Sequence, residues 1–183
     1  DTVITAEYRL ISYTVAFRAN ADDFTGTTAS MHMEYGQAEY LTRNGFKRRG
    51  YRFSGWNADA DGTGKSYTDG EGILNLADRD GSTVELFAVW TELGSAHIAY
   101  KTEDDGKTDG NAIDRHGEDL NPETGEAKGS TATPTTGYVF AGWYNENGKK
   151  VSDEKTFVPE KPVNGRWTDA TYTARFSRIE LTV

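Results

Sequence analysis

Asp59-Ala60-Asp61-Gly62 is the stretch whose residue types most resemble a working site. Alternate carboxylates followed by a glycine open the loops that wrap calcium in oxygen ligands. The twelfth position of such a loop needs a bidentate Glu, however, and counting from Asp59 that place holds Gly70. Asp-Gly is above all a turn dipeptide, and a hairpin turn is the expectation here. The acidic group Glu103, Asp104, Asp105 and Asp109 is read in the same way, as a solvated loop and at best a weak cation site.

Catalytic chemistry has little to draw on. His32, His97 and His116 are the only histidines, and none sits in a His-Glu-x-x-His or nucleophile-elbow setting. A glycosidase needs two carboxylates, but with 29 Asp and Glu in the chain no pair stands out. Cysteine is absent, which removes thiol nucleophiles, disulfides and cysteine-ligated metals together. The expectation is no enzyme, no cofactor and no metal. Leu120-Asn121-Pro122-Glu123-Thr124-Gly125 looks like a sortase sorting signal with one residue too many. A true signal is followed by an apolar stretch and basic residues, whereas here Glu126, Ala127 and Lys128 follow, so a turn is expected.

The elements around these stretches must come from a lean composition. Apolar residues make up 36% of the 183, yet aromatics reach 12%, so large rings must fill the core. Glycine numbers 20 and proline 4, in keeping with short strands and tight turns. A net charge of −9 argues against nucleic-acid binding, because phosphate contacts need a clustered basic surface and Lys47-Arg48-Arg49 is the one dense run. No apolar run approaches the ~20 residues of a membrane-spanning helix, so no membrane insertion by this stretch is expected.

An internal repeat organises the chain. Gly50-Tyr51-Arg52-Phe53-Ser54-Gly55-Trp56-Asn57 recurs 87 residues later as Gly137-Tyr138-Val139-Phe140-Ala141-Gly142-Trp143-Tyr144, with five identities in eight. Upstream, the alternating Tyr13 to Phe17 answers to Ala96 to Tyr100; downstream, Val84 to Trp90 answers to Ala170 to Phe176. Val84, Leu86, Ala88 and Trp90 line one side of that closing strand while Phe87 and Val89 take the other, as in a central strand covered twice. Trp56 has the wrong parity to share a face with Tyr51 and Phe53, so a bulge at Gly55, and likewise at Gly142, is expected to turn the Trp inward.

Two modules follow, residues 11–92 and 95–178. Residues 1–10 are read as the closing strand of a preceding repeat, on the pattern Val3 to Tyr8, and 179–183 as the start of a following one. The connection between modules is short and carries no flexible linker, so a fairly stiff rod is expected. Each module reads as a small mixed β sheet with one short crossing segment. Asp69 to Leu76, with Ile73, Leu74 and Leu76, supplies a short helix or turn at most.

The residues from Tyr13 to Trp90, with Gly-Tyr-x-Phe-x-Gly-Trp-Asn, then Asp59 to Gly64 and the closing Leu86-Phe87-Ala88-Val89-Trp90, resemble the Listeria-Bacteroides repeat, akin to the B repeat of internalin. Residues 95 to 176 resemble a diverged relative with a longer turn-rich insert from Glu103 to Thr133. The resemblance implies an α+β, β-rich fold of two tandem β-grasp-like (ubiquitin-like) modules, secretion, and a place in large wall-attached bacterial proteins. It supplies no catalytic residues.

Three functions remain open: a semi-rigid stalk in an adhesin, a module that itself binds a host protein or glycan, and a calcium-stabilised or enzymatic domain. The stalk is favoured. Trp167, which has no counterpart in the first module, and Tyr144 are the candidate ligand contacts for the second reading, with the long insert. Partners otherwise reduce to neighbouring repeats of the same chain, and a monomer is expected.

Overall fold

The computed structural model describes residues 9–103 and 110–180. The chain divides into two compact units, Asp1–Glu92 and Leu93–Val183. The closing strand expected over Val3 to Tyr8 lies outside the described residues, as do the last three residues of the opening strand expected over 179–183; Ile179 and Glu180 carry no strand.

Unit 1 contains β1 (Ser12–Arg18), β2 (Phe24–Gly26), β3 (Met31–Glu34), β4 (Ala38–Tyr40), β5 (Phe46–Arg48), β6 (Tyr51–Asn57), β7 (Ser66–Tyr67), β8 (Gly72–Leu74) and β9 (Ser82–Glu92). Five of them form a sheet in the order β3-β1-β9-β6-β7. β1 and β9 run parallel, and the other neighbours are antiparallel. β2 with β5, and β4 with β8, make two small antiparallel ribbons. The alternation of β1 sends Tyr13, Val15 and Phe17 into the core. β9 lies between two partners, buries Leu86 and Ala88 on one face, and keeps Phe87 and Val89 half-buried on the other.

The bulge is where the sequence places it. Phe53 pairs with Trp90 and Gly55 with Val89, so the register of β6 against β9 slips by one residue between them. The slip needs a φ of +139° at Gly55, which a side chain would oppose. Its result is that Trp56, on the wrong parity for a regular strand, is fully buried. The ring sits 4.7 Å from Phe17, 6.2 Å from Phe46 and 4.8 Å from Phe53, centroid to centroid.

Unit 2 contains β10 (Ala96–Thr102), β11 (Ala112–Ile113), β12 (Gly117–Leu120), β13 (Ser130–Thr133), β14 (Tyr138–Asn145), β15 (Lys150–Ser152), β16 (Thr156–Phe157) and β17 (Ala170–Arg178). The main sheet has the order β12-β10-β17-β14-β15, again with its outer-module strands β10 and β17 parallel. A smaller sheet, β11-β13-β16, takes two strands from the insert and one from beyond it, and sends Ile113, Ala132 and Phe157 into the same core. The bulge recurs between Phe140 and Gly142, with φ +136° at Gly142 and Trp143 fully buried. Trp143 packs on Tyr100, Phe140 and Phe157.

One expectation is overturned. Among the described residues there is no helix, so each unit is all-β, and the α+β, β-grasp-like reading with a short helix does not hold. The segment Asp69 to Leu76 fails as a helix because Gly70 and Asn75 take left-handed φ values of +70° and +53°. Between them Gly72–Leu74 is a strand, Ile73 buried and Leu74 exposed, paired with Ala38–Tyr40.

Candidate functional site

The calcium-like loop hangs from the end of β6, and a buried side chain organises it. Asn57 is 1% exposed. Its Nδ2 donates toward the carbonyls of Gly62 and Gly64, at 3.1 and 3.0 Å, and toward the Ser66 hydroxyl at 3.0 Å. Its Oδ1 accepts the Asp59 N–H at 2.9 Å. Asp61 turns inward on the loop itself, accepting the Thr63 hydroxyl at 2.7 Å and the Thr63 N–H at 3.0 Å. Those two bonds hold its carboxyl below the usual range. The carbonyls of this loop thus converge on an amide nitrogen, the arrangement of an Asx-capped turn. Among the described residues no group of three or more His, Asp or Glu is placed to hold a metal ion. Of the second acidic cluster, Asp104, Asp105 and Asp109 lie outside the described residues.

The sorting-signal lookalike is a turn closed on itself and then covered. Asn121 Oδ1 accepts the N–H groups of Glu123 and Thr124, and the Asn121 carbonyl accepts the Gly125 N–H at 2.9 Å. Trp167 lies over this turn. Its backbone N–H donates to the Pro122 carbonyl at 2.8 Å and its indole N–H to the Gly125 carbonyl at 2.8 Å. Lys161 Nζ donates to the Glu123 carbonyl and stands 5.9 Å from the Trp167 ring centre.

Trp167, read from the sequence as a candidate ligand contact, is 4% exposed and belongs to the core of unit 2. Its role is to fasten the insert. Tyr144 is half-buried on β14, with the Arg175 guanidinium 4.2 Å above its ring and Glu103 paired to Arg175 at 3.1 Å. The two candidate contacts are therefore engaged separately. The most exposed aromatic among the described residues, passed over in the sequence, is Tyr40, 76% exposed and opposite Gly72 on the β4–β8 ribbon, which also carries Leu74 at 55%. The alternation of Ala38-Glu39-Tyr40, a strand too short to stand out, was its one signal.

A further residue was not legible as special. Glu118 on β12 accepts the Tyr100 hydroxyl at 2.7 Å, the Gly129 N–H at 3.1 Å and the Lys128 N–H at 2.9 Å. Burial pushes its carboxyl up, but the Lys128 N–H, the Tyr100 phenol and the Gly129 N–H, with Arg115 nearby, more than reverse this, and it titrates below the usual range. A depressed carboxyl contributes stability that is present above its unfolded value and lost as pH falls through the folded one. Acid strong enough to protonate it should therefore release the Lys128 and Gly129 N–H groups from β12. Glu118→Gln should flatten that acid limb of unit 2, read as a denaturation midpoint followed from neutral pH downward.

Residues 13–79 match the family model described as the Listeria-Bacteroides repeat domain, and residues 100–180 match that of the divergent InlB B-repeat domain. No curated protein and no solved structure matches the chain. These repeat families occur in bacterial cell-surface proteins and are non-catalytic modules there.

Proposed function

Because the chain carries a Listeria-Bacteroides repeat over residues 13–79 and a divergent InlB B-repeat over 100–180, we propose that it is a spacer within a secreted, wall-attached bacterial surface protein. The observation that carries this is the direction of the first and last strands in each unit. β1 and β9 are parallel neighbours, as are β10 and β17, so the chain enters a unit at one end and leaves at the other. Antiparallel terminal strands would return it to the end it came from. β9 has 11 residues, and at ~3.3 Å per residue one unit advances the chain by about 36 Å. A net charge of −9 discourages self-association.

The exposed Tyr40 and Leu74 favour a second reading, an adhesive module that touches a host protein or glycan through the β4–β8 ribbon. Antibody raised against this chain should label intact, unpermeabilised cells. Replacing residues 11–178 with an unrelated spacer of equal length should leave the exposure of the rest of the protein unchanged, while deleting them should reduce it. Failure to label intact cells sinks the spacer reading. Reproducible glycan or matrix-protein binding by the isolated chain, abolished by Tyr40→Ala, would replace it with the adhesive one.

A further inference from the structure

From the same strand directions, we propose that β1 with β9, and β10 with β17, are mechanical clamps that keep each unit folded under tension along the chain. The purpose of such a clamp rests on the spacer reading; its existence does not.

The geometry decides how load enters. Tension pulls β1 back from Ser12 and β9 forward from Glu92, at opposite ends of one parallel ladder that runs from Tyr13 opposite Ser82 to Arg18 opposite Phe87. The strands must slide past each other, so their hydrogen bonds are loaded together rather than in turn. In unit 2 the corresponding ladder runs from Ile98 opposite Ala170 to Thr102 opposite Ala174. An antiparallel pair loaded at one end would open bond by bond, and β6 with β9 is such a pair, since Tyr51 faces Glu92.

Packing adds to the resistance. Tyr13, Val15 and Leu86 are at most 1% exposed, so sliding would drag them against a close-packed core. The ladder is tied across at both ends. At its foot the Asp80 carboxylate accepts the Ser12 N–H at 3.0 Å, and the Ser12 carbonyl accepts the Gly81 N–H at 2.7 Å. Near its head Arg18 Nε donates to the Glu85 carboxylate at 2.8 Å. In unit 2 the Asp169 carboxylate accepts the His97 N–H at 2.8 Å, and the Ala174 carbonyl accepts the Glu103 N–H at 3.0 Å. Exposed ion pairs such as Arg18 with Glu85 add little at equilibrium, but they lie in the path of the sliding motion. Forced unfolding is governed by the unfolding barrier along the pulling direction, so direction becomes the variable to test.

The chain has no cysteine, so introduced pairs are unique handles. In the full two-unit chain, Leu10→Cys with Glu92→Cys loads β1 and β9 in shear. Arg52→Cys with Glu92→Cys peels β6 from β9 instead. All three positions are exposed, so chemical denaturation midpoints should stay at that of the parent chain. In single-molecule pulling at equal speed, the first pair should unfold unit 1 at several-fold higher force than the second. Equal forces, or a higher force for the 52/92 handles, would overturn the clamp. The result is independent of cell labelling: a clamp without surface exposure would end the spacer reading alone, and surface exposure without force anisotropy would end the clamp alone.

Discussion

Trp56→Ala is expected to cost unit 1 about 3–5 kcal/mol, the usual range for emptying a buried aromatic site, which is enough to unfold a small domain. The ring is fully buried and touches three other aromatics, one from each of β1, β5 and β6. Amide hydrogen exchange should show β1, β6 and β9 losing protection while β10, β14 and β17 keep theirs, which uses unit 2 as an internal reference. Retained protection in β1 and β9 would mean that the core does not depend on this ring.

The milder change to Phe separates the two repeats. Trp143 Nε1 donates to the Lys155 carbonyl at 3.0 Å, whereas Trp56 Nε1 is buried and finds no acceptor among the described residues. Trp143→Phe loses a hydrogen bond of about 1 kcal/mol in addition to volume; Trp56→Phe loses volume and relieves an unpaired donor. The first should therefore be the more destabilising of the two.

Gly55→Ala carries the second large effect. A φ of +139° is a region that only glycine occupies readily, and holding another residue there costs about 1–3 kcal/mol. The added Cβ would also stand 2.7 Å from the Tyr67 carbonyl oxygen, which is backbone and cannot step aside without breaking the β6–β7 pairing. Gly142→Ala meets the Lys150 side chain, which can swing away, and the Ser152 carbonyl at 2.9 Å, which cannot. Both variants should lower the denaturation midpoint of their own unit, Gly55→Ala by more. An unchanged midpoint in Gly55→Ala would show that the bulge tolerates a side chain, and would leave the inward turn of Trp56 without its cause.

These two predictions rest on features that the sequence carries openly. Five identities in eight around Gly50 and Gly137, and a Trp on the wrong parity after a glycine, point to a repeated bulge that aims a ring inward, and the structure has it in both units. The inward faces of β1 and β10 were equally legible, because period-two alternation is a property of consecutive residues and needs no partner. So was the turn at Leu120 to Gly125, since Asn-Pro and Thr-Gly bend the chain by local chemistry.

What the tertiary structure alone decided are contacts between residues far apart in the chain. Ile73 and Leu74 read as a helical fragment until Ala38–Tyr40, more than thirty residues earlier, offers them a strand to pair with. Trp167 reads as a loop residue until the carbonyls of Pro122 and Gly125 accept its N–H groups and cover it. Asn57 and Glu118 are two polar residues among many in the sequence; they become organising groups when a loop and a strand end close on them. The parallel pairing of β1 with β9 is of the same kind, since nothing in either strand states which neighbour it takes or in which direction. Alternation fixes which side of a strand is buried. Partner and direction follow from how all the strands share one core, and on them rest both the spacer and the clamp.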